Sequence, residues 1–519
     1  MRKIVHILLP AVLLIACACS QDLGNYEYVT LDEPVISGLQ DQEVFTQSRL
    51  QLTPQIDGGE YPEEEYAFEW MVLNSNSVGE PVIIGTGRNL DYEVTLAPGA
   101  YVLYFTITQK ETGLYWRSCV SLTVSSSLSE GWMVLCSDGG CARLDFVSAT
   151  TGQTMNDVLR GNGMPELNGP RRIQWLSDKT DAASPYYLLT DDGATRLGRD
   201  AFEWKPEYDF AYEVAVSDRL IPSSITSAGF GKVIVSGEDA HYCEVMGIDG
   251  LYGSAINKDF SVAPFVGANV LATQVYAAVY LLYDTDNLRF MTYCSLLATN
   301  DLGNLNPVST MEEMGQIAEG MAPGSGVVGN AFKEWPEGKE LVYMENTRYD
   351  PGNAKMGMTY ALLKDGRSCS LYGIQLGDIL RYADCTYVLG KGYYGDLSQC
   401  RDILHPAALY AFSSLKGCMY YALDGTVYRV DLSENPAREE PMFSLEGERI
   451  TCMKFNLYRR SENMQKSYDL VIGSVSGSGE GKLRIYEGRE SGGDFKNVEP
   501  QVYEGFAEIV DVEYKERIY

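Results

Sequence analysis

From residue 28 to about residue 124, apolar and polar side chains alternate in short runs that turn residues separate. A period of two predicts β-strands, because successive side chains of a strand point to opposite faces of a sheet. Short strands in about a hundred residues are typical of an immunoglobulin-like β-sandwich. We therefore predict a sandwich over residues 25–127. Its predicted strands are 50–53, 66–73, 91–96, 100–108 and 115–124.

Two positions fit specific places in such a sandwich. Trp70 lies in the middle of an apolar run, where a sandwich of this kind keeps a core tryptophan. The segment Ala97–Tyr101 resembles the corner that precedes the penultimate strand, in which a tyrosine hydroxyl binds the backbone a few residues upstream. Both predictions concern the packing of the sandwich and not its function.

From residue 130 the pattern changes to a loose series of hairpins, each an apolar strand, an Asp-Gly type of turn and a second strand. The first hairpin is 131–147. At the roughly 40 to 50 residues per blade of a β-propeller, residues 130–519 supply seven or eight blades. Ala507–Tyr514 is predicted to pair beside Gly131–Cys136 and close the ring. The predicted fold is all-β, an Ig-like sandwich followed by a β-propeller; stacked sandwiches are the alternative.

Residues 1–19 have the pattern of a lipoprotein signal peptide. Arg2 and Lys3 form a basic start, an apolar stretch follows, and Leu14–Cys17 fits a bacterial lipobox. Lipid on the cysteine would anchor the chain to a membrane surface without a spanning segment. The lipobox favours Cys17, and Cys19 is a second acceptor. An ordinary cleaved secretory peptide is the alternative.

Residues 260–283 contain no charged side chain and are long enough to span a bilayer. Pro264, Gly267 and Asn269 interrupt the segment, and 275–283 has the pattern of a buried strand. We therefore predict that the exported chain has no membrane span.

The charge balance excludes one class of partner. The chain has 71 acidic and 41 basic side chains and a formal charge of −30. Proteins that hold nucleic acid neutralise phosphates with Lys and Arg, so no nucleic-acid partner is predicted. The negative charge fits the solvated face of an exported protein held on a membrane by its lipid.

Several segments together resemble the PKD-like family lipoproteins of Gram-negative gut bacteria. They are Cys19–Tyr28 with its Asp-Leu-Gly-Asn-Tyr start, the Trp70 region, 131–136, 283–290 and 514–517. The resemblance implies a PKD-like sandwich before a propeller-like region, and an outer-membrane, surface-exposed accessory of TonB-dependent nutrient uptake. It also favours Cys19 as the lipidated residue, since the family's cysteine stands close before the position of Asp22. It implies no catalytic or ligand-binding residues.

Motifs that carry chemistry are scarce. The chain has no G-x-S-x-G, H-E-x-x-H, Walker or EF-hand motif. Gly324–Gly329 and Gly390–Gly395 match G-x-G-x-x-G, but neither has a strand before it and a helix after it. We predict no cofactor.

The exported chain has only His241 and His405 for imidazole chemistry, and both are predicted to be structural. Asp284, Asp286 and Asn287 have the oxygen ligands that calcium prefers, but a tight turn explains them equally well. No metal site and no catalytic residue is predicted.

Aromatic residues supply the ligand-binding candidates. The chain has 36 tyrosines, which suit surfaces that grip polar ligands but are also common on half-buried strands. Trp204 and Trp335 lie in polar, proline-containing segments that read as loops. If an aromatic pair forms a ligand platform, these two tryptophans are the candidates.

Ten cysteines lie beyond the signal peptide, most of them in apolar strands where a free thiol packs as a small hydrophobic group. In an oxidising compartment Cys136 and Cys141 could instead bridge a hairpin.

The leading functional hypothesis is a non-enzymatic lipoprotein that binds a glycan or peptide, or docks onto an uptake complex. The alternative is a glycan-cleaving enzyme with a carboxylate pair in the propeller pore. Acids that converge within about 5 to 10 Å in a central pocket would favour the enzyme; an aromatic-lined pocket without such a pair would favour binding.

Overall fold

A computed structural model of the chain describes residues 33–517, except residues 47, 76–79, 177–184, 230, 245–249, 270–278, 295–311, 314–331, 333, 349–356, 377–388, 415–416, 435, 459 and 489–493. The regular structure of this part is β-strand apart from short 3₁₀ helices. The chain divides into two compact units, Met1–Ser125 and Ser126–Tyr519. The signal peptide, with Cys17 and Cys19, lies outside the described residues.

The N-terminal unit is a β-sandwich. Its strands are β1 Val35–Ser37, β2 Gln42–Phe45, β3 Arg49–Leu52, β4 Gln55–Asp57, β5 Tyr66–Asn74, β6 Val82–Gly85, β7 Leu90–Glu93, β8 Gly99–Gln109 and β9 Tyr115–Ser125. The large sheet has the order β2-β9-β8-β5-β6, and the pairs β1-β4 and β3-β7 form two small sheets. The alternating runs of the sequence correspond to these strands, except that β7 ends at Glu93, earlier than predicted.

The sandwich core confirms both packing predictions. Trp70 is completely buried, its ring centroid lies 4.4 Å from that of Phe105, and its Nε1 donates to the Gly87 carbonyl at 2.9 Å. The hydroxyl of Tyr101 donates to the Ala97 carbonyl at 2.9 Å. This bond forms the tyrosine corner at the start of β8.

The C-terminal unit contains seven sheets in the described part of the chain, and we call them blades 1 to 7. Blade 1 has β10 Gly131–Asp138, β11 Cys141–Ser148 and β12 Thr154–Met155; blade 2 has β13 Pro170–Trp175, β14 Tyr186–Thr190 and β15 Gly193–Leu197; blade 3 has β16 Pro222–Ala228, β17 Gly231–Ser236 and β18 Asp239–Glu244. Blade 4 has β19 Gly267–Ala268, β20 Val279–Asp284, β21 Arg289–Cys294 and β22 Glu312–Glu313; blade 5 has β23 Glu340–Thr347, β24 Met358–Asp365, β25 Ser368–Leu376 and β26 Leu389–Asp396. Blade 6 has β27 Leu409–Phe412, β28 Cys418–Leu423, β29 Thr426–Asp431 and β30 Arg438–Ser444; blade 7 has β31 Glu448–Phe455, β32 Leu470–Ser476, β33 Gly481–Tyr486 and β34 Gln501–Phe506.

The last strand closes the ring as predicted. Strand β35, Glu508–Lys515, pairs antiparallel with β10 and becomes the innermost strand of blade 1. The register joins Trp132 to Tyr514, with an irregularity after Leu135. Blade 1 is therefore built from both ends of the propeller sequence.

Apolar side chains fill the space between consecutive blades. In the described residues seven hydrophobic clusters each draw on two neighbouring blades, and one of them joins blade 7 to blade 1. Because a middle strand is then covered on both faces, it reads as a continuous apolar run rather than an alternating one. Strand β14, with all five residues buried, is an example. Stacked sandwiches would not give this closed series, so the sequence prediction of a propeller is confirmed, with seven blades.

The innermost strands border the propeller axis, and they are β35 in blade 1 and the first strand of each of the other blades. Strand β35 contacts β13, and β16, β19, β23, β27 and β31 follow in turn until β31 contacts β35. The neighbouring strands β13 and β16 are joined by a hydrogen bond from the Gln174 side chain to the Ile225 carbonyl at 3.2 Å. We call the space that these strands surround the channel.

Two further predictions concern membranes and cysteines. Among the residues that the structure describes, no helix is both long and apolar enough to cross a membrane. The segment 260–283 supplies β19 and β20 instead, with 270–278 outside the described residues. The cysteines with described side chains carry free thiols, which agrees with the favoured interpretation of the sequence and not with the alternative of a bridge between Cys136 and Cys141. In the β10–β11 register Cys136 lies opposite Arg143, and Cys141 lies opposite Asp138, so the two cysteines do not face each other.

Candidate functional site

A pocket of about 270 Å³ lies beside the outer edge of blade 2. Blade 2 stops at three strands, because residues 198–221, all of them described, form no fourth strand. Two 3₁₀ helices, Pro206–Tyr208 and Phe210–Glu213, pack beside β15 instead, and a single bridge joins Thr195 to Asp209. Space remains between this cover and the strand edge. We call it the Trp204 pocket.

The Trp204 pocket combines an apolar wall with a polar rim. Its apolar side includes the indole of Trp204 and the ring of Phe210. Its rim includes Asp192, Asp209 and Arg219. Sugars and peptides offer both an apolar face and hydrogen-bonding groups, and a pocket of this composition can meet both at once.

Hydrogen bonds fix the orientation of the Trp204 ring. Its Nε1 donates to Thr195 Oγ1 at 2.9 Å, and that hydroxyl donates to the Tyr208 carbonyl at 2.9 Å. The indole therefore has its polar atom satisfied inside the protein while part of its surface faces the pocket. A ring held in this way loses little entropy when a ligand packs on it.

The rim carboxylates are oriented by backbone N–H groups. Asp192 accepts bonds from the backbone N–H of Asn168 at 2.8 Å and from its side-chain amide at 2.9 Å, and these bonds lower the pKa of Asp192. Asp209 accepts from the Ala211 N–H at 2.9 Å. The guanidinium of Arg219 donates to the Asp192 carbonyl. The rim thus presents fixed acceptors and one fixed cation.

The structure places Trp335 elsewhere. Trp335 packs against the cluster between blades 4 and 5, edge-on to Phe332 with centroids 4.9 Å apart, and Lys391 lies 5.3 Å from its ring. Its buried Nε1 has no hydrogen-bond partner among the described residues. Trp204 packs with the cluster between blades 1 and 2. The two tryptophans therefore belong to separate clusters and form no shared platform.

A second concentration of chemistry lies in the channel, where four inner strands bring charged side chains together. On the side of blades 7 and 1, Lys454 Nζ lies 3.2 Å from Asp511 Oδ1 and 3.1 Å from Glu513 Oε2. Asp511 also accepts from the backbone N–H of Ile173 at 3.1 Å. Burial alone would lower the pKa of Lys454, but the charges of Asp511 and Glu513 outweigh it and raise that pKa. The ammonium is firmly charged, and it holds both carboxylates.

Blade 5 contributes an acid of a different kind. The Tyr343 hydroxyl donates to Glu345 Oε2 at 3.0 Å, and the Phe412 N–H also bonds this carboxyl. Burial raises the pKa of Glu345 to about 7, although these bonds and the charges of Lys454 and Arg172 act in the opposite direction. Glu345 is therefore close to half protonated at neutral pH.

Arg172 enters the channel from blade 2. Its charge lies near enough to Glu345 and to Lys454 to influence the pKa of each. In the part of the chain that the structure describes, no carboxylate lies within ion-pair distance of its guanidinium. We call Arg172, Tyr343, Glu345, Cys452, Lys454, Asp511 and Glu513 the channel cluster.

The channel cluster was not predicted from the sequence, although a signal was present. Each contributing strand carries polar or reactive residues at positions i and i+2: Arg172 and Gln174, Tyr343 and Glu345, Cys452 and Lys454, Asp511 and Glu513. In a strand this spacing puts both side chains on one face. Only the closed ring shows that these faces meet.

The remaining candidate residues have local partners. His241 is buried with Nδ1 2.8 Å from the Gly253 carbonyl, and exposed His405 accepts from the Ala407 N–H at 3.2 Å. Asp284 accepts bonds from the Asn287 N–H at 2.9 Å and from Arg289 Nε at 3.1 Å, so its oxygens stabilise the turn. No group of three metal-ligating side chains occurs in the described ranges.

The glycine matches and the tyrosines also find structural places. Gly390–Gly395 lies within strand β26, and Gly324–Gly329 lies outside the described residues. Many tyrosines are fully buried between blades. They include Tyr186, Tyr187, Tyr252, Tyr280, Tyr283, Tyr293, Tyr420, Tyr421 and Tyr458. These tyrosines therefore have a structural role in packing the blades and do not form a ligand-binding surface.

Residues 19–169 match the PKD-like family. This confirms the PKD-like part of the resemblance for the sandwich and the first blade, which together are less than a third of the chain, and the lipoprotein part stays a prediction. Beyond residue 169 the resemblance stays a prediction. No curated protein matches the sequence.

Several solved structures have a similar arrangement of strands. A quinonprotein alcohol dehydrogenase-like protein from Bacteroides thetaiotaomicron is 13% identical, with 93% of this chain and 99% of that chain covered and a TM-score of 0.43. Kluyveromyces lactis Hsv2 is 9% identical, with 73% and 99% covered and a TM-score of 0.31. The WD40 domain of SCAP from fission yeast is 8% identical, with 65% and 72% covered and a TM-score of 0.31. The fold assignment rests on the strand pairing and not on these similarities, and no function follows from them.

Proposed function

We propose that this protein is a non-enzymatic binding protein of the cell envelope, and that it holds a sugar unit or a peptide side chain in the Trp204 pocket. The observation that carries the proposal is the oriented indole of Trp204 beside the fixed carboxylates of Asp192 and Asp209. An aromatic face with acceptors at its edge is suited to a ligand that is apolar on one face and hydroxylated at its rim.

The size of the pocket limits the ligand. Its volume of about 270 Å³ lies just below the range of about 300 to 1,000 Å³ for small-molecule sites. One sugar ring or one side chain fits such a space. A longer glycan or peptide would place a single unit in the pocket and extend along the outer edge of blade 2.

The cellular setting is part of the proposal. A lipid on Cys17 or Cys19 would anchor the chain to the outer membrane. The chain would then be exposed at the cell surface as an accessory of a TonB-dependent nutrient-uptake system. The lipobox and the PKD-like match over residues 19–169 support this placement. Acyl labelling of the wild type and of a Cys17→Ser, Cys19→Ser double variant tests the anchor. Label that survives in the double variant contradicts it.

A binding panel tests the pocket. The purified full chain is passed over immobilised polysaccharides and peptides, and both retention and product release are measured. Trp204→Ala should lower the affinity for a retained ligand at least tenfold, because the stacking face is lost. Trp335→Ala is the matched control and should change it less than twofold. Equal effects of the two variants would contradict the assignment, and released product would contradict the non-enzymatic role.

The channel favours a second candidate, a glycan-cleaving enzyme. Asp511 and Glu513 are close enough to share one ammonium, and Glu345 has the raised pKa expected of a general acid. Binding ranks first because Lys454 occupies both carboxylates of the close pair. If the panel yields product, Glu345→Gln should abolish its formation; undiminished product would exclude Glu345 as the acid.

A further inference from the structure

The charges of the channel cluster fall into two groups that are balanced differently. Lys454 contacts both Asp511 and Glu513, so that group carries one more negative than positive charge. Arg172 faces the same channel with no carboxylate at ion-pair distance among the described residues. A guanidinium in a partly enclosed space loses hydration and gains from a matching oxyanion. The arrangement therefore has a cation without a close counter-ion.

Glu345 is the nearest candidate counter-ion, but it is a poor one. Its carboxyl is already bonded by the Tyr343 hydroxyl and by the Phe412 N–H. Burial favours its neutral form up to about neutral pH. While Glu345 is protonated, Arg172 has no negative partner on blade 5, and the carboxyl O–H is an additional donor.

Titratable and polar groups surround Glu345 on each strand packed around it. Strand β23 supplies Tyr343, and burial with the Glu345 charge raises the pKa of this tyrosine, so it stays a donor. Strand β13 supplies Arg172, and β27 supplies the uncharged Phe412 N–H. Strand β31 supplies Cys452 and Lys454, and strand β35 supplies Asp511 and Glu513.

Solvent reaches this group of side chains. Arg172, Tyr343, Glu345 and Lys454 are only partly buried, although they lie inside the ring of inner strands. A small ion can therefore contact them without unfolding a blade. Arg172 presents a planar fork of N–H donors that matches a carboxylate or a sulfate with two parallel bonds.

We propose that the channel holds an oxyanion-binding site in which Arg172 binds the anion as a bidentate partner, with the Glu345 carboxyl facing it. The ligand class is a small oxyanion, supplied either by the carboxylate of an acidic sugar or by an inorganic anion such as sulfate. The site is separate from the Trp204 pocket, and it does not depend on the proposed function.

The site has a defined pH dependence. Ionisation of Glu345 places a second negative charge beside the bound anion, and it gives Arg172 an internal counter-charge. Both effects weaken anion binding. Affinity is therefore highest below neutral pH and falls as the pH rises through the value at which Glu345 ionises.

Isothermal titration of the full chain with glucuronate and with sulfate tests the site at pH 6 and pH 8.5. The wild type should bind at least one of the two anions at least tenfold more tightly at pH 6 than at pH 8.5. Arg172→Gln should lose at least tenfold in affinity at pH 6. The matched control is Arg171→Gln, since Arg171 is an exposed neighbour that pairs with Asp191 at 2.5 Å. It should change affinity less than twofold.

Further variants separate the alternatives. Glu345→Gln should keep binding at pH 8.5, because the position stays neutral. Arg172→Lys keeps the charge but loses the planar fork of N–H donors, so it should bind with intermediate affinity. This variant replaces Arg172→Gln in the test if Arg172→Gln does not fold. Trp204→Ala should leave the titration unchanged, which distinguishes this site from the Trp204 pocket.

Binding of glucuronate without sulfate identifies an acidic sugar, and binding of both identifies a general oxyanion site. Absence of binding by both anions at pH 6, or wild-type affinity in Arg172→Gln, overturns the proposal.

Discussion

Two regions around the closing strands each hold a lysine that is partly or fully buried, and the pKa values of the two lysines shift in opposite directions. In the channel, Lys454 of β31 lies against the carboxylates of Asp511 and Glu513, and its pKa is raised. At the end of β35, Lys515 is 2% exposed, and burial lowers its pKa to about 7. The same residue type is therefore a fixed cation in one region and a titrating group in the other.

The partners explain the difference. The Lys515 ammonium donates to the carbonyl oxygens of Arg199 and Asp200, and it lies 4.3 Å from the ring centroid of Phe202 and 5.1 Å from that of Tyr186. No carboxylate is within ion-pair distance of it in the described ranges. Carbonyl dipoles and aromatic faces offset only part of the lost hydration, whereas two carboxylates offset all of it. Burial lowers the pKa of both lysines, and the presence or absence of nearby carboxylates decides whether the net pKa shift is upward or downward.

The largest effect is expected from removing the paired lysine. Lys454→Met leaves Asp511 and Glu513 close together without their cation, and the free energy of unfolding should fall by about 3 kcal/mol. Urea denaturation at pH 7 measures it. Lys364→Met is the control, because its pair with Glu340 is largely exposed and should cost less than about 1 kcal/mol. Equal losses in the two variants would show that the channel pair is no stronger than a surface pair.

The next effect concerns the lysine without a carboxylate. A base with a lowered folded-state pKa destabilises the fold at low pH, and that penalty disappears as the pH rises between the folded and unfolded values. From pH 6 to pH 9 the wild type should gain about 2 kcal/mol relative to Lys515→Met. Denaturant curves of both proteins at the two pH values give this difference. Parallel pH profiles would mean that Lys515 does not titrate in this range.

The smallest effect comes from Glu345, which titrates in the same range with the opposite sign. An acid with a raised folded-state pKa stabilises the fold below its unfolded value, and this stabilisation is lost as the pH rises through about 7. Between pH 5 and pH 8 the wild type should lose a similar or slightly smaller amount, about 2 kcal/mol, relative to Glu345→Gln. Thermal unfolding at several pH values measures it. A wild type that gains stability relative to Glu345→Gln as the pH rises would contradict the assignment.

Much of the fold could be predicted because it follows from local patterns. Alternation of side chains gave the sandwich strands, and Asp-Gly turns gave the hairpins of the blades. The pairing of β35 with β10 was predicted from the need of a propeller to close. The place of Trp204 beside a pocket is consistent with its polar, proline-containing segment, while the same kind of segment around Trp335 packs into an inter-blade cluster.

The channel cluster lay beyond sequence reasoning for a physical reason. Arg172, Glu345, Lys454 and Asp511 come from four blades that are up to 339 positions apart in the chain. Their i, i+2 spacing fixes which face of a strand they share, but not which strands border the axis. With 71 acidic side chains, no acid can be selected as a partner until the ring is closed.

The sequence by itself determined the strands, the turns, the sandwich core around Trp70 and the predicted export signal, because each depends on neighbours along the chain. Only the tertiary structure decided that blade 2 lacks a fourth strand and leaves the Trp204 pocket, and that Lys454 meets two carboxylates while Lys515 meets carbonyls and rings. Desolvation and Coulomb energies depend on distances in space. Those distances are set when the seventh blade meets the first.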